Sequence, residues 1–414
     1  MPAVSSMKYL RHCTLTPIGL NRLLMTTCLL SLLCTFGAAP PTDSRPASAP
    51  ATQVIERTLA PLDDARFDDW LAHWKEHISA EMRTRYCDTV NGEEIGWLMT
   101  PFLDGCYAGY LATGDAQWIE RCIDWSDAWI KRASVEPDGY PGWPKREAAG
   151  TQVDDLNRYN ADSLLGEAMA LRPITLMAGM IRKTPTLHEK HGAKADAYLT
   201  LSKKIYEKWD RRGAWRETDG GGTISIVQPY GLDDSATHWT DGYQTRQASR
   251  TGFSHPDNKA NAVARWLLAL SDATGDPQYQ QRAARWFRLQ RSRMKTREDG
   301  TFSIWNYWEP AGPWDYKPDG APKHWVGIHP NAGYYEIDVE AIVDAFEHGI
   351  VFTADDLRRL IATAVAEHRN WPALAPYDRR VQRAFEENIK PDAWGSLAGL
   401  PKYLAQQRSI RKAG

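Results

Sequence analysis

The chain has no CxxC pair, no HExxH helix and no Cys/His run with metal-ligand spacing, which excludes a dedicated zinc site of the ordinary kinds. It has no excess of either charge. A net charge of −2 leaves no footprint for nucleic acid. Cysteine is scarce as well: three of the six (Cys13, Cys28, Cys34) fall in the first 39 residues, leaving Cys87, Cys106 and Cys122. That odd number admits one disulfide, Cys106 with Cys122 across a helical hairpin being the pairing to look for. Phenylalanine is the rare aromatic, with 9 Phe against 18 Trp and 17 Tyr, so the rings that abound carry a polar handle. Such rings line sugar clefts, where the flat face stacks on C–H surfaces, but most of them are expected to fill a helical core.

Long apolar runs are confined to one place. Lys8, Arg11 and Arg22 precede "LLMTTCLLSLLCTFGAA" (residues 23–39), a run that ends in small residues and is short for a membrane span. Residues 1–39 therefore read as a secretory signal, and no stable membrane insertion is expected after its removal. Residues 40–56, "PPTDSRPASAPATQVIE", form a Pro/Ala/Ser linker. A single domain is expected over 57–414, secreted or periplasmic, with a monomer as the default state. With 43% hydrophobic and 25% charged residues the chain is long enough for one large core.

From Ala65 the pattern is helical. "RFDDWLAHWKEHISAEMRTRYC" sets Phe67, Trp70, Leu71, Trp74, His77 and Ile78 on one face. A second helix from about residue 93 ends at "LATGD", where Gly114 suits a left-handed C-terminal position and Asp115 the cap of the next helix. The device recurs: "TGDAQWIERCIDW" from Thr113 and "TGDPQYQQRAARW" from Thr274 align without gaps. This is a repeat of a helical hairpin. Further helices are expected at about 161–183, 194–210, 257–272, 277–294, 335–349, 354–370 and 392–406, with strand signals only near 221–231 and 300–308. Hairpins that each hide one face close most economically into a ring. The expected fold class is all-α, an (α/α)6–7 toroid with a few short β-hairpins in its rim loops, and an open α-solenoid is the runner-up.

Three long connections, 134–160, 211–256 and 297–334, carry the unusual chemistry, as loops of that length in a compact domain tend to. The first contains Trp143, Asn157, Arg158, Tyr159 and Asn160. An amide and a guanidinium there would grip a carboxylate; the plain alternative is N-capping by Asn160 or Asp162, with Glu167 a buried acid or part of a polar face. The second crowds Asp233, Asp234, His238, Trp239, Asp241, Tyr243, Arg246, Arg250, His255, Asn258 and Lys259 together. Pro256 holds His255 extended and Asp257 suits an N-cap, so His255 belongs at the entrance of a helix. With Arg250, Asn258 and Lys259 it reads as a receptor for an anionic group at a helix N-terminus. The third loop holds Trp305, Tyr307, Trp308, Trp314, Tyr316, His324, Trp325, His329, Asn331, Tyr334 and Tyr335. In "IWNYW" strand alternation would put Trp305 and Tyr307 on one face, Asn306 and Trp308 on the other.

Amides, cations, histidines, tyrosines and a tryptophan wall are the parts that elimination at a uronic acid needs. The C5 proton is weakly acidic, so an amide, Arg or His must neutralise the carboxylate. A Tyr or His then takes the proton, a Tyr can protonate the departing O4, and no cofactor or metal is required. Two other readings use the same inventory. A toroidal glycoside hydrolase would need two carboxylates from Asp154, Asp155, Glu167, Glu217, Asp233 and Asp234. A non-catalytic glycan-binding protein would explain the tryptophans alone.

With Asn, His, Arg and Tyr in the rim loops of a helical toroid from about 65 to 405, the chain resembles the uronan-specific polysaccharide lyases, the alginate and glucuronan lyases, and among them polysaccharide lyase family thirty-eight. The resemblance implies β-elimination on an anionic polysaccharide such as alginate, polymannuronate or glucuronan. It implies Tyr307, His255, Asn160 and Arg250 as the catalytic set, with Tyr243 as a rival phenol. Trp143, Arg158, Trp239, Asn258, Lys259, Trp305, Trp308, His329 and Tyr334 would bind the polymer.

Overall fold

The computed structural model describes residues 54–136, 138–146, 160–225 and 253–413. The expected signal and nearly all of the expected linker lie outside these residues, as do Arg158, Trp239, Tyr243 and Arg250. The chain divides into Met1–Pro50 and Ala51–Gly414, and the second unit is the one described.

Among the described residues its α-helices are α1 (Asp64–Glu81), α2 (Thr100–Thr113), α3 (Gln117–Lys131), α4 (Leu164–Lys183), α5 (Pro185–Arg211), α6 (Asp257–Thr274), α7 (Pro277–Arg293), α8 (Gly333–Glu347), α9 (Ala354–Ala366), α10 (Arg379–Asn388) and α11 (Ser396–Ala413). Helices α2, α4, α6 and α8 pack in series, and α11 closes the circle against α2. One continuous run of ion pairs joins these five inner helices along the axis. Asp104 of α2 meets Arg172 of α4 at 2.9 Å, and Arg172 also faces Asp344 of α8 at 3.9 Å. Arg265 of α6 pairs with Asp344 and Glu340 at 2.6 and 2.7 Å, and Lys402 of α11 reaches Glu340 at 2.9 Å. The fold is an (α/α) toroid, with α3, α5, α7, α9 and α10 outside.

Tight turns lead from inner to outer helices, and the Thr-Gly-Asp repeat explains two of them. Gly114 and Gly275 sit at φ 76° and 73°, the left-handed region that glycine enters without strain. Their amides bond the carbonyls of Tyr110 and Ser271, while Thr113 and Thr274 accept from the amides of Asp115 and Asp276. Each aspartate then takes the amide two residues on at 3.0 Å. The long connections all run into the N-terminal ends of inner helices, so the described ends that lead into α4, α6 and α8 share one rim.

Closure of the ring turns on α11. Pro401 has no N–H, so the carbonyl of Leu397, four residues back, loses its helical donor. The indole of Trp74 on α1 supplies one at 3.0 Å. A Cβ added at Gly105 of α2 would lie 2.4 Å from that same carbonyl, and one at Gly109 would lie 2.3 Å from the Trp74 ring. Only glycine lets α2, α1 and α11 approach so closely.

Tryptophan is mostly internal, and its N–H ties layers together: Trp266 donates to Ser202, Trp286 to Asn261 and Trp209 to Glu167. Helix α4 is long and apolar enough to cross a membrane by composition, but 78% of that window is buried in the ring. Among the described residues, strands are limited to the pairs β1 (Ser134–Val135) with β2 (Pro141–Gly142), β3 (Lys145–Arg146) with β4 (Asn160–Ala161), and β5 (Trp215–Thr218) with β6 (Gly221–Ile224).

Several expectations need correction. Residues 300–308 form no strand; Trp305 and Trp308 are both buried, so the stretch does not alternate. Helix α5 begins at Pro185 rather than near 194, because its polar first turns lie on the outside and leave little periodicity to read. Helix α10 was not anticipated; it is short and buries only Val381, Gln382 and Phe385. The cap of α4 is Ser163, whose hydroxyl accepts from Gly166, in place of Asn160 or Asp162. Cys87, Cys106 and Cys122 are free buried thiols, Cys106 lying against the Met82 sulfur at 3.9 Å.

Candidate active site on the toroid rim

The mouth of α6 organises the rim. Pro256, at φ −54° and ψ 152°, caps α6, so Asp257 is its first helical residue rather than its N-cap. The Asp257 carboxyl turns inward toward Arg293 at 3.3 Å, and burial pushes its pKa well above the carboxylate range. Its amide bonds the carbonyl of Tyr307, whose own amide bonds Gly327 at 2.8 Å. Two rim loops are thereby stitched to the helix entrance. Asp315 secures them from beneath: it accepts from Ser254 through both amide and hydroxyl, at 2.7 and 2.8 Å, and from the Ala311 amide at 2.7 Å.

His255 sits at that entrance and is buried. Burial, then the Lys259 ammonium, lowers its pKa to about 3 against a smaller opposing pull from Glu93, so the imidazole is neutral at ordinary pH. Its Nδ1 has no hydrogen-bond partner among the described residues. Asn258 is 1% exposed, and neither end of its amide is bonded among the described residues. A buried amide with both ends unpaired costs several kcal/mol (roughly 1–3 per group) unless something binds there. Lys259 is engaged by Glu93 at 2.6 Å, and Glu93 also accepts from the Trp97 indole at 3.1 Å. Burial works to raise Glu93, but Lys259 outweighs it and keeps the carboxylate ionised.

Tyr307 is half-buried in a cage of rings. Trp325 and Tyr334 stack on it at 5.7 and 5.4 Å, and His329 lies 4.8 Å away. Burial, then Tyr334, pushes its phenol up, which keeps the proton on the oxygen. The His329 Nδ1 accepts from the Asn331 amide at 3.0 Å, which places the proton of the neutral ring on Nε2. One helical turn into α8, burial and then Glu340 raise Glu336 to about 7.

Of the expected site residues, the structure therefore brings together Tyr307, His255, Asn258, Lys259, His329 and Tyr334. Asn160 lies in β4 opposite Arg146, and Arg250, Tyr243, Arg158 and Trp239 lie outside the described residues. Three tryptophans are corrected to scaffold. Trp143 is 1% exposed, stacked on Trp129 at 4.0 Å and bonded to its carbonyl. Trp305 is buried with its N–H on Asp338 at 2.9 Å, and Trp308 is buried with its N–H on the Ser254 carbonyl at 2.9 Å. None of these rings has a face open to a sugar.

The carboxylates proposed for a hydrolase divide in the same way. Glu167 is buried against Lys208 and Trp209, both at 2.6 Å, and Glu217 pairs on the surface with Arg285. Asp154, Asp155, Asp233 and Asp234 lie outside the described residues. Glu93, Glu336 and Asp315 were not anticipated. Glu93 meets Lys259 across 166 positions, and no local pattern announces such a pair.

No protein-family model matches the chain, and no curated protein matches its sequence. Solved structures do resemble it. A family 76 glycoside hydrolase (mannosidase) from Bacteroides thetaiotaomicron superposes with a TM-score of 0.50 at 12% identity, over 83% of this chain and 100% of that one. A possible member of the GH105 family from Klebsiella pneumoniae gives 0.41 at 12% identity, over 91% and 100%. A polysaccharide lyase gives 0.34 at 9% identity, over 84% and 98%. At these identities the likeness is one of fold, and the class it defines is the (α/α) toroid.

Proposed function

We propose that the rim site acts on a polysaccharide and that its chemistry is β-elimination at a uronic acid. One observation carries the reading: a neutral buried histidine and an unpaired buried amide lie together at the mouth of α6, beside a protonated phenol walled by aromatic rings. The substrate carboxylate would take the Asn258 amide as donor, with Lys259 and the α6 N-terminus favouring its charge. His255 has a free lone pair, and an arriving anion raises its proton affinity. It takes the C5 proton; the electron pair forms the C4=C5 double bond as the C4–O4 bond breaks; Tyr307 gives its proton to O4. The His329 ring, 4.8 Å from that of Tyr307, packs against the phenol from the side. The neighbouring mannosidase fold is consistent with a carbohydrate as substrate. On the apolar run of residues 23–39, the proposal extends to an exported enzyme, with a monomer as its default state.

Glu336 and Glu93 favour a second reading. They are rim carboxyls whose surroundings push them apart, one up to about 7 and one below the usual range, the arrangement that divides acid from base in a hydrolase.

The test is to follow the ultraviolet absorbance of the conjugated C4=C5 bond while purified protein acts on alginate and glucuronan. A rise that falls by about 10²–10⁴-fold in Tyr307→Phe, with polymer binding retained, supports elimination. New reducing ends without the absorbance, abolished by Glu336→Gln, would replace it with hydrolysis.

A further inference from the structure

Among the described residues, two tryptophans stand out by exposure: Trp325 at 46% and Trp394 at 40%. Both lie in connections that enter inner helices, so both are on the rim. Trp325 belongs to the cage around Tyr307. Trp394, just before α11, is claimed by nothing described so far.

Its ring is held from the side. Phe102 and Tyr86 meet it edge-to-face at 5.6 and 6.2 Å, with interplanar angles of 84° and 82°. The loop beneath is tied down: Ser396 donates its hydroxyl to the Lys390 carbonyl at 2.6 Å, and the Ala393 amide reaches the same carbonyl at 3.0 Å. An exposed indole fixed in this way loses little freedom on binding, which suits a stacking platform. It is also continuous with the site. Residues 84–99 carry Tyr86 against Trp394 and, seven residues on, Glu93 against Lys259, with Trp97 bonded to Glu93.

Resting on the polysaccharide reading, and indifferent to whether the bond is eliminated or hydrolysed, we infer that Trp394 is a distal sugar-binding platform. It stacks one pyranose ring of the same chain that crosses Tyr307 and His255. The protein thereby reads substrate length.

Electrophoresis through gels containing alginate, polyglucuronate or a neutral mannan tests this without relying on turnover. The wild-type protein is retarded by one polymer; Trp394→Ala weakens that retardation by about tenfold, as expected when one ring loses its stacking partner, and Trp394→Phe, which keeps a flat face and the packing against Phe102, restores most of it. The affinity difference between Trp394→Ala and wild type grows as oligosaccharides of the retarding polymer lengthen. Equal retardation of wild type and Trp394→Ala overturns the platform and leaves the polysaccharide reading intact. Retardation of the wild type by none of the polymers overturns both.

Discussion

Replacing His255 by Phe should flatten the acid side of the stability profile. The folded imidazole has a pKa of about 3, against 6.5 for the free side chain, and its burial is the main cause. Between these values the unfolded chain takes up a proton that the folded protein declines, so falling pH stabilises the unfolded state. The contribution is nil above 6.5, begins to appear as pH drops through it, and stops growing near 3. From about pH 7.5 to about pH 5 the loss is about 2 kcal/mol, from 1.36 kcal/mol for each pH unit below the unfolded value. Phe keeps a ring of similar size and cannot titrate, and the backbone bond from residue 255 to Ile224 is untouched. Urea unfolding of both proteins, followed by tryptophan fluorescence at the two pH values, gives the double difference, in which the other titrating groups cancel. A result of about 2 kcal/mol is expected. Equal losses in the two proteins would show that the imidazole is not held neutral, and the assignment of His255 as the base would fall with it.

The remaining expectations concern the scaffold. Lys208→Met should destabilise by about 3–5 kcal/mol in thermal or urea unfolding, because Asp162 and Glu167, at 2.7 and 2.6 Å, would be left buried without their ammonium. Gly105→Ala should cost about 1–3 kcal/mol, since the backbone carbonyl of Leu397 cannot retreat from a new Cβ without parting α2 from α11; a neutral result would refute the close approach. Asp315→Ala should cost on the order of 3 kcal/mol and lower activity further than stability alone explains, because three donors lose their acceptor and two rim loops lose their register. Asp315→Asn should recover part of both.

The fold was legible where local chemistry repeats. Thr-Gly-Asp at 113 and 274 makes the same turn twice for the same reason, and the face holding Phe67, Trp70, Trp74 and Ile78 is the face that is buried. The mouth of α6 was legible too, because a proline forces His255 to stand just outside a helix. Trp143, Trp305 and Trp308 misled because residues in long connections look exposed. These connections instead fold down onto the ring and bury their largest rings as pegs. Glu93 and Glu336 gave no signal at all. Glu93 owes its charge to Lys259, 166 positions away, and Glu336 its raised pKa to burial and then to Glu340 one turn on in α8; the pairing and the burial exist only after the ring has closed.

That closure sets an order of events for the chain. The first and last helices meet across nearly the whole described sequence: the Leu62 amide finds its acceptor in Gln407, 345 positions away, and the Leu397 carbonyl waits for Trp74, 323 positions away. Contacts so distant in sequence form late and slowly, because the loop they close must surrender its freedom first. A nascent chain, however much of its helical content is in place, has no complete rim until α11 docks. Trp394 and the start of α11 are then the last pieces laid beside residues 84–99, the segment that turns a row of hairpins into an enclosure.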